Sequence, residues 1–171
     1  MAEETILVID DEQAQREALA GHLRKQGYEV LQAQAGGPGV ELLQHHLVDL
    51  ILTDFRMPDM DGMAVLNAAR QINPAIEVII ITAYGTVEGA VAAMWEGACH
   101  YLEKPIDLDE LDRVVVRALE HHHLISENRM LKAQLRERTR LEGIISVDPA
   151  MDEVLNTIAR AAPSTPSSLQ A

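Results

Sequence analysis

Short apolar runs alternate with longer amphipathic stretches along most of this chain. The runs are rich in Val, Ile and Leu and predict strands at 5–9, 28–33, 50–53, 76–82 and 99–102. Apolar residues at helical spacing predict helices at 12–26, 39–46, 63–72 and 86–95, and a last helix that begins near Leu108. Strands that are apolar on both faces belong in a parallel sheet covered by helices on two sides. The pattern therefore predicts an α/β fold, a doubly wound five-stranded parallel sheet.

The last predicted helix is unusually long. Residues 107–142 contain neither Gly nor Pro, and Gly143 is expected to end the helix. Its second half must pack against something other than the sheet. The side chains suited to this are spaced as in a short coiled coil and predict a homodimer arm: Leu124, Asn128, Leu131 and Leu135. The alternative is an amphipathic helix folded back on its own domain. The run His121–His123 is interpreted as helix surface.

Charge is distributed unevenly along the chain. Residues 1–120 hold 8 Lys and Arg against 21 Asp and Glu and so carry all of the net charge of -13. An acidic domain repels nucleic-acid phosphates, so no direct nucleic-acid binding is expected. A single cysteine, Cys99, permits no internal disulfide, which suits a cytoplasmic protein. No stretch resembles a signal peptide or a membrane span, so no membrane association is expected.

Acidic residues follow two of the predicted strands. Asp10 and Asp11 come after the first strand, and Asp54 comes after the third. Central strands lie about 5 Å apart, so these carboxylates should converge on one volume. They would repel each other unless a cation were bound, and Mg²⁺ is the natural choice. The alternative for Asp10 and Asp11 is a helix N-cap role.

A hydroxyl and an ammonium group follow the fourth and fifth strands, at Thr82 and Lys104. Together with a metal ion, these groups could neutralise three phosphoryl oxygens. Asp54 ends a central strand before a loop that can curl under the metal, so it is the expected nucleophile. Taken singly, Thr82 could be an ordinary strand end and Lys104 a solvated charge. Their joint position at the strand ends favours a phosphoryl-transfer site.

Four segments resemble the response-regulator receivers of two-component signalling: ILVIDDE (6–12), LTDFRMPDMDG (52–62), ITAYG (81–85) and YLEKP (101–105). The resemblance implies a flavodoxin-like fold with strand order 2-1-3-4-5. It also implies a regulatory phosphoprotein, modified by a sensor histidine kinase, rather than an enzyme. Asp54 would be the phosphoacceptor. The Mg²⁺ ligands would be Asp10, Asp11, Asp54 and the backbone carbonyl of Arg56.

The same resemblance assigns roles around the acidic site. Thr82, Ala83 and Lys104 would bind the phosphoryl group, and the Lys104–Pro105 peptide bond would be cis. Thr82 and Tyr101 would form a switch pair. Movement of Thr82 toward the phosphoryl oxygens would leave space into which Tyr101 turns, and this would reshape the surface that partners contact.

The C-terminal third resembles NtrC-type, sigma-54-dependent transcription activators. The segment ISENRMLKAQL (125–135) is similar to their linker, and SVDPAMDEVLNTIARAAPS (146–164) to the first helix of their AAA+ ATPase domain. We therefore expect a receiver at 1–120, a helical coiled-coil linker at 121–142 and the start of a truncated, partly disordered ATPase domain at 143–171. Residues 165–171 do not fit this resemblance. The chain has neither a phosphate loop with GK[ST] nor a helix-turn-helix, so ATP hydrolysis and DNA binding would belong to an attached output domain.

Two other functions remain open from the sequence. A Mg²⁺-dependent phosphohydrolase of the haloacid-dehalogenase type would also form an aspartyl intermediate. It needs an acid two residues after the nucleophile, where this chain has Arg56. A dimerisation module with a degenerate receiver would have no need of five intact site residues.

Overall fold

The computed structural model describes residues 4–83 and 85–146, with side chains up to residue 140. Most of the predicted ATPase segment, from residue 147 onward, lies outside the described residues. The elements in chain order are β1 (Thr5–Ile9), α1 (Gln13–Lys25), β2 (Glu29–Ala33), α2 (Gly36–His45), β3 (Leu50–Asp54), α3 (Gly62–Ile72), β4 (Glu77–Thr82), α4 (Val87–Glu96), β5 (His100–Glu103) and α5 (Leu108–Ser146). None of the described helices is long and apolar enough to cross a membrane.

The five strands form one parallel sheet in the order β2-β1-β3-β4-β5, which confirms the predicted fold class and strand order. Successive side chains of a strand point to opposite faces, so each strand contributes to two cores. Ile6 and Leu52 pack in a cluster with residues of α1 and α5. Leu7 and Ile51 pack in a second cluster with residues of α2, α3 and α4. Burial on both faces explains why the strands are continuously apolar.

Helix α2 begins earlier than predicted. It starts at Gly36 rather than at Gly39, and Pro38 lies in its first turn. Proline is accepted there because the first N–H groups of a helix have no helical partner. A Cβ on Gly36 would lie 2.9 Å from the backbone oxygen of Met60. The glycine therefore lets α2 start directly against the loop between β3 and α3.

Helix α5 is a single helix of 39 residues. It continues through Gly143 to Ser146, so the prediction that Gly143 ends it is wrong. A lone glycine costs a helix about 1 kcal/mol relative to alanine, and it ends a helix only where the chain also turns away. The compact unit that contains the sheet extends to Ser126, and a second unit begins at Glu127. The expected domain limit at residue 120 stays a prediction.

The three consecutive histidines of α5 are not all on the surface. His121 and His123 are exposed, but His122 is only 7% exposed, so its interpretation as helix surface is wrong. The ring of His122 contacts Asp49 and the backbone of Ala75. Helical periodicity could not reveal these partners, since they belong to segments far away in the sequence.

Ile79 tests the packing of the sheet against α1 and α5. Its side chain is 0% exposed at the centre of β4. We expect Ile79→Ala to lower the free energy of unfolding by about 2–5 kcal/mol, because it leaves a cavity between the sheet and two helices. Urea denaturation measures this change. Leu47→Ala is the control, since Leu47 is 91% exposed and its replacement should have little effect. Equal losses of unfolding free energy in Ile79→Ala and Leu47→Ala would contradict the assignment of Ile79 to the core.

Candidate functional site

The register of the sheet brings the predicted site residues to one edge. Asp10 follows β1, Asp54 ends β3, Thr82 ends β4 and Lys104 follows β5. Neighbouring strands pair Ile9 with Thr53, Asp54 with Ile81 and Thr82 with Glu103. All of these strands are parallel, so their carboxyl ends lie side by side. This is the edge at which open α/β sheets bind ligands.

Three carboxylates meet at this edge. Oxygen atoms of Asp10, Asp11 and Asp54 all lie within 4.8 Å of one another. Asp10 is buried, Asp54 is partly buried and Asp11 is exposed. Oδ1 of Asp10 also accepts the backbone N–H of Glu12 at 2.8 Å, but the N-cap of α1 is Glu12 itself, so the alternative N-cap role for Asp10 and Asp11 is wrong. The three carboxylates thus differ in burial, from buried Asp10 to solvent-exposed Asp11.

Lys104 supplies the positive charge of the site. Its Nζ donates to Oδ2 of Asp10 at 3.1 Å and to Oδ2 of Asp54 at 3.3 Å. The backbone N–H of Lys104 donates to the carbonyl oxygen of Thr82 at 2.7 Å, which ties the residue to the end of β4. The Lys104–Pro105 peptide bond is cis. The ammonium group therefore lies between the two least exposed carboxylates.

These contacts shift the ionisation of both partners. Burial and the nearby charge of Asp10 raise the pKa of Asp54 above its ordinary value, although Lys104 acts in the opposite direction. Burial lowers the pKa of Lys104, but Asp10 and Asp54 outweigh it and hold that pKa above its ordinary value. Lys104 is therefore charged at neutral pH, and a proton or another cation at Asp54 relieves the remaining repulsion.

The loop after Asp54 is held close beneath the site. The backbone N–H of Phe55 donates to Ile81 O at 2.7 Å, and the N–H of Gly62 donates to Phe55 O at 2.9 Å. The backbone N–H of Arg56 acts to lower the pKa of Asp54, against the larger effect of burial. A Cβ on Gly62 would lie 2.7 Å from the backbone oxygen of Asp54. Glycine at this position therefore allows α3 to start directly against the site.

Two further carboxylates anchor this loop, and the sequence analysis did not single them out. Oδ2 of Asp59 accepts the N–H of Gly37 at 2.8 Å, and Oδ1 accepts the N–H of Gly36 at 3.2 Å. Asp61 caps α3 by accepting the N–H of Ala64 at 2.8 Å. The cap could have been recognised, because Asp commonly precedes a helix. The contact between Asp59 and α2 carries no local sequence signal.

The remaining predicted residues lie around the site or along α5. Thr82 is buried, Ala83 is exposed and Tyr101 is partly buried on β5. A Cβ on Gly89 would lie 3.4 Å from the hydroxyl of Tyr101, so this hydroxyl lies beside α4. The predicted arm residues are outside the site, and the side chains of all four are exposed: Leu124, Asn128, Leu131 and Leu135.

The donor set is suited to a hard divalent cation. Carboxylate and carbonyl oxygens are the ligands that Mg²⁺ prefers, and it is content with a few protein ligands plus water or phosphoryl oxygens. Asp10, Asp11 and Asp54 offer such oxygens within one small volume, and Asp11 opens it to solvent. Residues 6–116 match the family model described as the response regulator receiver domain. The chain belongs to the response-regulator receiver family.

Known proteins agree with this assignment. The chain is 41% identical over 160 residues to the transcriptional regulatory protein ZraR of Escherichia coli O157:H7. The match covers 93% of this chain but only 35% of that relative. The crystal structure of NtrX from Brucella abortus in complex with ADP superposes with a TM-score of 0.71 at 30% identity and covers 95% of this chain and 35% of that one. The solution structure of the beryllofluoride-activated NtrC4 receiver domain dimer superposes with a TM-score of 0.66 at 30% identity. This match covers 69% of this chain and 98% of that one. The expected family, the receivers of NtrC-type regulators, is confirmed.

The raised pKa of Asp54 predicts how the receiver's stability depends on pH. Between the ordinary value of 3.8 and the raised value, the folded state binds a proton that the unfolded state does not. Stability is therefore lost as pH rises through this window. Asp54→Asn keeps an oxygen for Lys104 and removes the charge. At pH 7 without Mg²⁺ we expect it to raise the free energy of unfolding by on the order of 1 kcal/mol, a common size for a single-site change.

Urea denaturation at pH 7 and at pH 3.5 measures this difference, which should vanish at the lower pH. Asp59→Asn is the matched control from the same loop. The N–H of Gly37 holds the pKa of Asp59 below its ordinary value, so this substitution should lower stability at pH 7. If Asp54→Asn and Asp59→Asn changed the free energy of unfolding at pH 7 in the same direction, the electrostatic assignment of the site would be contradicted.

Proposed function

We propose that this receiver accepts a phosphoryl group on Asp54 from a sensor histidine kinase. It thereby controls the arrangement of a dimer and the activity of an attached sigma-54-dependent ATPase output domain. The observation that carries the proposal is the position of the Lys104 ammonium, within 3.3 Å of both Asp10 and Asp54. A lysine that bridges two carboxylates is placed to bind the oxygens of a phosphoryl group added to one of them.

The residues have the following roles in the transfer. A carboxylate oxygen of Asp54 attacks the phosphorus, and the bond from phosphorus to the donor's histidine nitrogen breaks with its electron pair. Lys104 and the hydroxyl of Thr82 stabilise charge on the phosphoryl oxygens, together with the backbone N–H of Ala83. Asp10, Asp11, Asp54 and the backbone carbonyl of Arg56 would hold Mg²⁺. The ion supplies neutralising charge at the phosphoryl oxygens when it is bound.

Thr82 and Tyr101 would convert the new charge into a change of shape. Thr82 ends β4, and its carbonyl oxygen accepts the N–H of Lys104. Its hydroxyl would move toward a phosphoryl oxygen and vacate space on the sheet's edge. Tyr101 lies one strand away with its hydroxyl beside Gly89 of α4, and it would turn into that space. The surface of α4 and β5 would change as a result.

The exposed leucines of α5 support the proposal of a homodimer arm. Leu124, Leu131 and Leu135 are 65%, 53% and 63% exposed, and each would be buried in a two-stranded coiled coil. Asn128 would occupy a seam position and define the register. Phosphorylation could strengthen this dimer or relieve it. The chain spans 35% of ZraR, so control of an ATPase is proposed for the intact protein.

The cytoplasm is the compartment that we propose for this signalling. Cys99 is a free thiol, and its burial raises its pKa to about 12. Such a thiol is protonated and unreactive at neutral pH, which suits a structural residue in a reducing compartment.

The first test is chemical phosphorylation of the full chain. Incubation with Mg²⁺ and a small phosphodonor such as acetyl phosphate should add one labile phosphoryl group, which intact-mass measurement detects. Asp54→Ala should abolish the addition, since the nucleophile is lost. Lys104→Met should slow it by about 10²-fold or more, the scale seen when one charge-stabilising group is removed from an active site.

Glu41→Gln is the control for these variants, because Glu41 is an exposed carboxylate on α2, outside the loop that closes under the site. It should be phosphorylated as the unmodified chain is. Turnover of many phosphomonoesters would indicate the phosphohydrolase instead. No modification at all would indicate a degenerate receiver and would reject the proposal.

The second test concerns the arm. Leu131→Arg combined with Leu135→Arg should shift the protein from dimer to monomer in sedimentation experiments, because two charges would be buried in the seam. Ala133→Arg is the control, since position 133 faces away from the seam in this register. A dimer that persists in the double variant would contradict the coiled-coil arm, and a dimer lost in the control would show that the register is wrong.

A further inference from the structure

Each histidine of the run His121–His123 in α5 contacts a carboxylate at the amino-terminal ends of the strands. This is the end of the sheet opposite Asp54. His121 contacts Glu77 at 2.6 Å, His122 contacts Asp49 at 3.0 Å and His123 contacts Glu4 at 2.8 Å. The three acids belong to different segments: the first residue of β4, the turn before β3 and the residue before β1. One helix turn is therefore attached to three strands of the sheet.

His122 uses both of its ring nitrogens. Nδ1 lies 2.8 Å from the carbonyl oxygen of Ala75, and Nε2 lies 3.0 Å from Oδ1 of Asp49. A carbonyl and an ionised carboxylate can only accept hydrogen bonds. A neutral imidazole has a single N–H, whereas the imidazolium has two. Protonated His122 therefore directs an N–H to Ala75 and places its positive charge 3.0 Å from the carboxylate of Asp49.

Ser126 offers a partner to the neutral ring. Its Oγ lies 3.4 Å from Nε2 of His122, one helical turn further along α5. A neutral ring with its proton on Nδ1 keeps its bond to Ala75 and can accept the hydroxyl proton of Ser126 at Nε2. Asp49 then faces a lone pair instead of an N–H. Loss of one proton thus breaks the contact between α5 and the segment before β3.

The surroundings favour the charged ring. Oδ2 of Asp49 accepts the backbone N–H of Thr5 at 2.8 Å, which fixes this carboxylate against β1. Glu77 on β4 also acts on His122, and the ring of His123 lies edge-on at 5.8 Å. The contact with Asp49 raises the pKa of His122. Burial raises the pKa of Asp49, but His122 and the N–H of Thr5, together with His123, outweigh it and hold that pKa below its ordinary value.

We propose that His122, Asp49, Ala75 and Ser126 form a proton-operated clasp that fastens the start of the C-terminal arm to the sheet. Acidification would close the clasp and alkalinisation would open it, independently of Asp54. The four residues of the clasp lie within residues 49–126, and the proposal depends only on the contacts described above. Only its effect on dimerisation rests on the proposed function of the arm.

The direction of the pH dependence follows from the two shifts. The contribution of His122 is complete below its ordinary pKa of 6.5 and is lost as pH rises through the raised value. The contribution of Asp49 is complete above its ordinary value of 3.8 and is lost at lower pH. The clasp is therefore most stable in weakly acidic solution and weakens toward alkaline pH.

Hydrogen exchange of the full chain tests the clasp. After correction for intrinsic exchange rates, amides 121–126 should be protected on the order of fivefold more at pH 6 than at pH 8.5. This is the ratio expected when a charged hydrogen bond replaces a neutral one. Asp49→Asn should abolish the difference, and the titration midpoint of His122 in ring NMR spectra should fall. Ser126→Ala should enlarge it, because the neutral ring loses its partner. His45→Gln on α2 is the control and should leave it unchanged.

Equal protection at the two pH values in the unmodified chain would overturn the clasp, as would a pH dependence that survives in Asp49→Asn. Either result can be obtained even if substitutions of His122 itself do not fold. Sedimentation of the same samples tests the consequence for the arm: a dimer that strengthens at pH 6 supports it. A dimer indifferent to pH, beside pH-dependent protection, would reject control of the arm. Phosphorylation of Asp54 is measured separately, so failure of one proposal does not imply failure of the other.

Discussion

Repulsion between carboxylates is the constraint around which this receiver is built. Oxygens of Asp10, Asp11 and Asp54 lie within 4.8 Å of one another at the end of a buried sheet. The fold tolerates this because Lys104 places an ammonium between the two least exposed members. The compensation is incomplete, since burial together with the charge of Asp10 keeps the pKa of Asp54 raised. A site that is short of positive charge is well prepared to bind a cation, and its lysine is available to an incoming phosphoryl group.

The support around this site is mostly backbone. Phe55 is held to β4, Gly62 to Phe55, and Asp59 joins the same loop to the start of α2. Glycines stand where a Cβ would strike backbone atoms, at positions 36 and 62. Backbone hydrogen bonds at both ends of a loop keep it in place without side chains that would compete for the site. The nucleophile is therefore positioned by the sheet, and the loop closes under it.

Helix α5 runs from the carboxyl-terminal ends of the strands to their amino-terminal ends. It begins four residues after Lys104, and its buried face packs Leu111 and Val115 into the core. One turn beyond that core, it reaches the carboxylates at the opposite edge through three histidines. Lys104 thus contacts carboxylates at one end of the sheet, and histidines of α5 contact carboxylates at the other.

The hydrophobic pattern by itself determined the five strands, their parallel arrangement and the edge at which Asp54, Thr82 and Lys104 would meet, because strand ends in a parallel sheet share one edge. It misplaced the start of α2 and the end of α5, where neighbouring loops or weak local preferences decide the boundary. Only the tertiary structure revealed that His122 is buried against Asp49 and that Asp59 holds α2. Both contacts join residues far apart in the chain, and the ionisation of a group depends on such neighbours rather than on its position in the sequence.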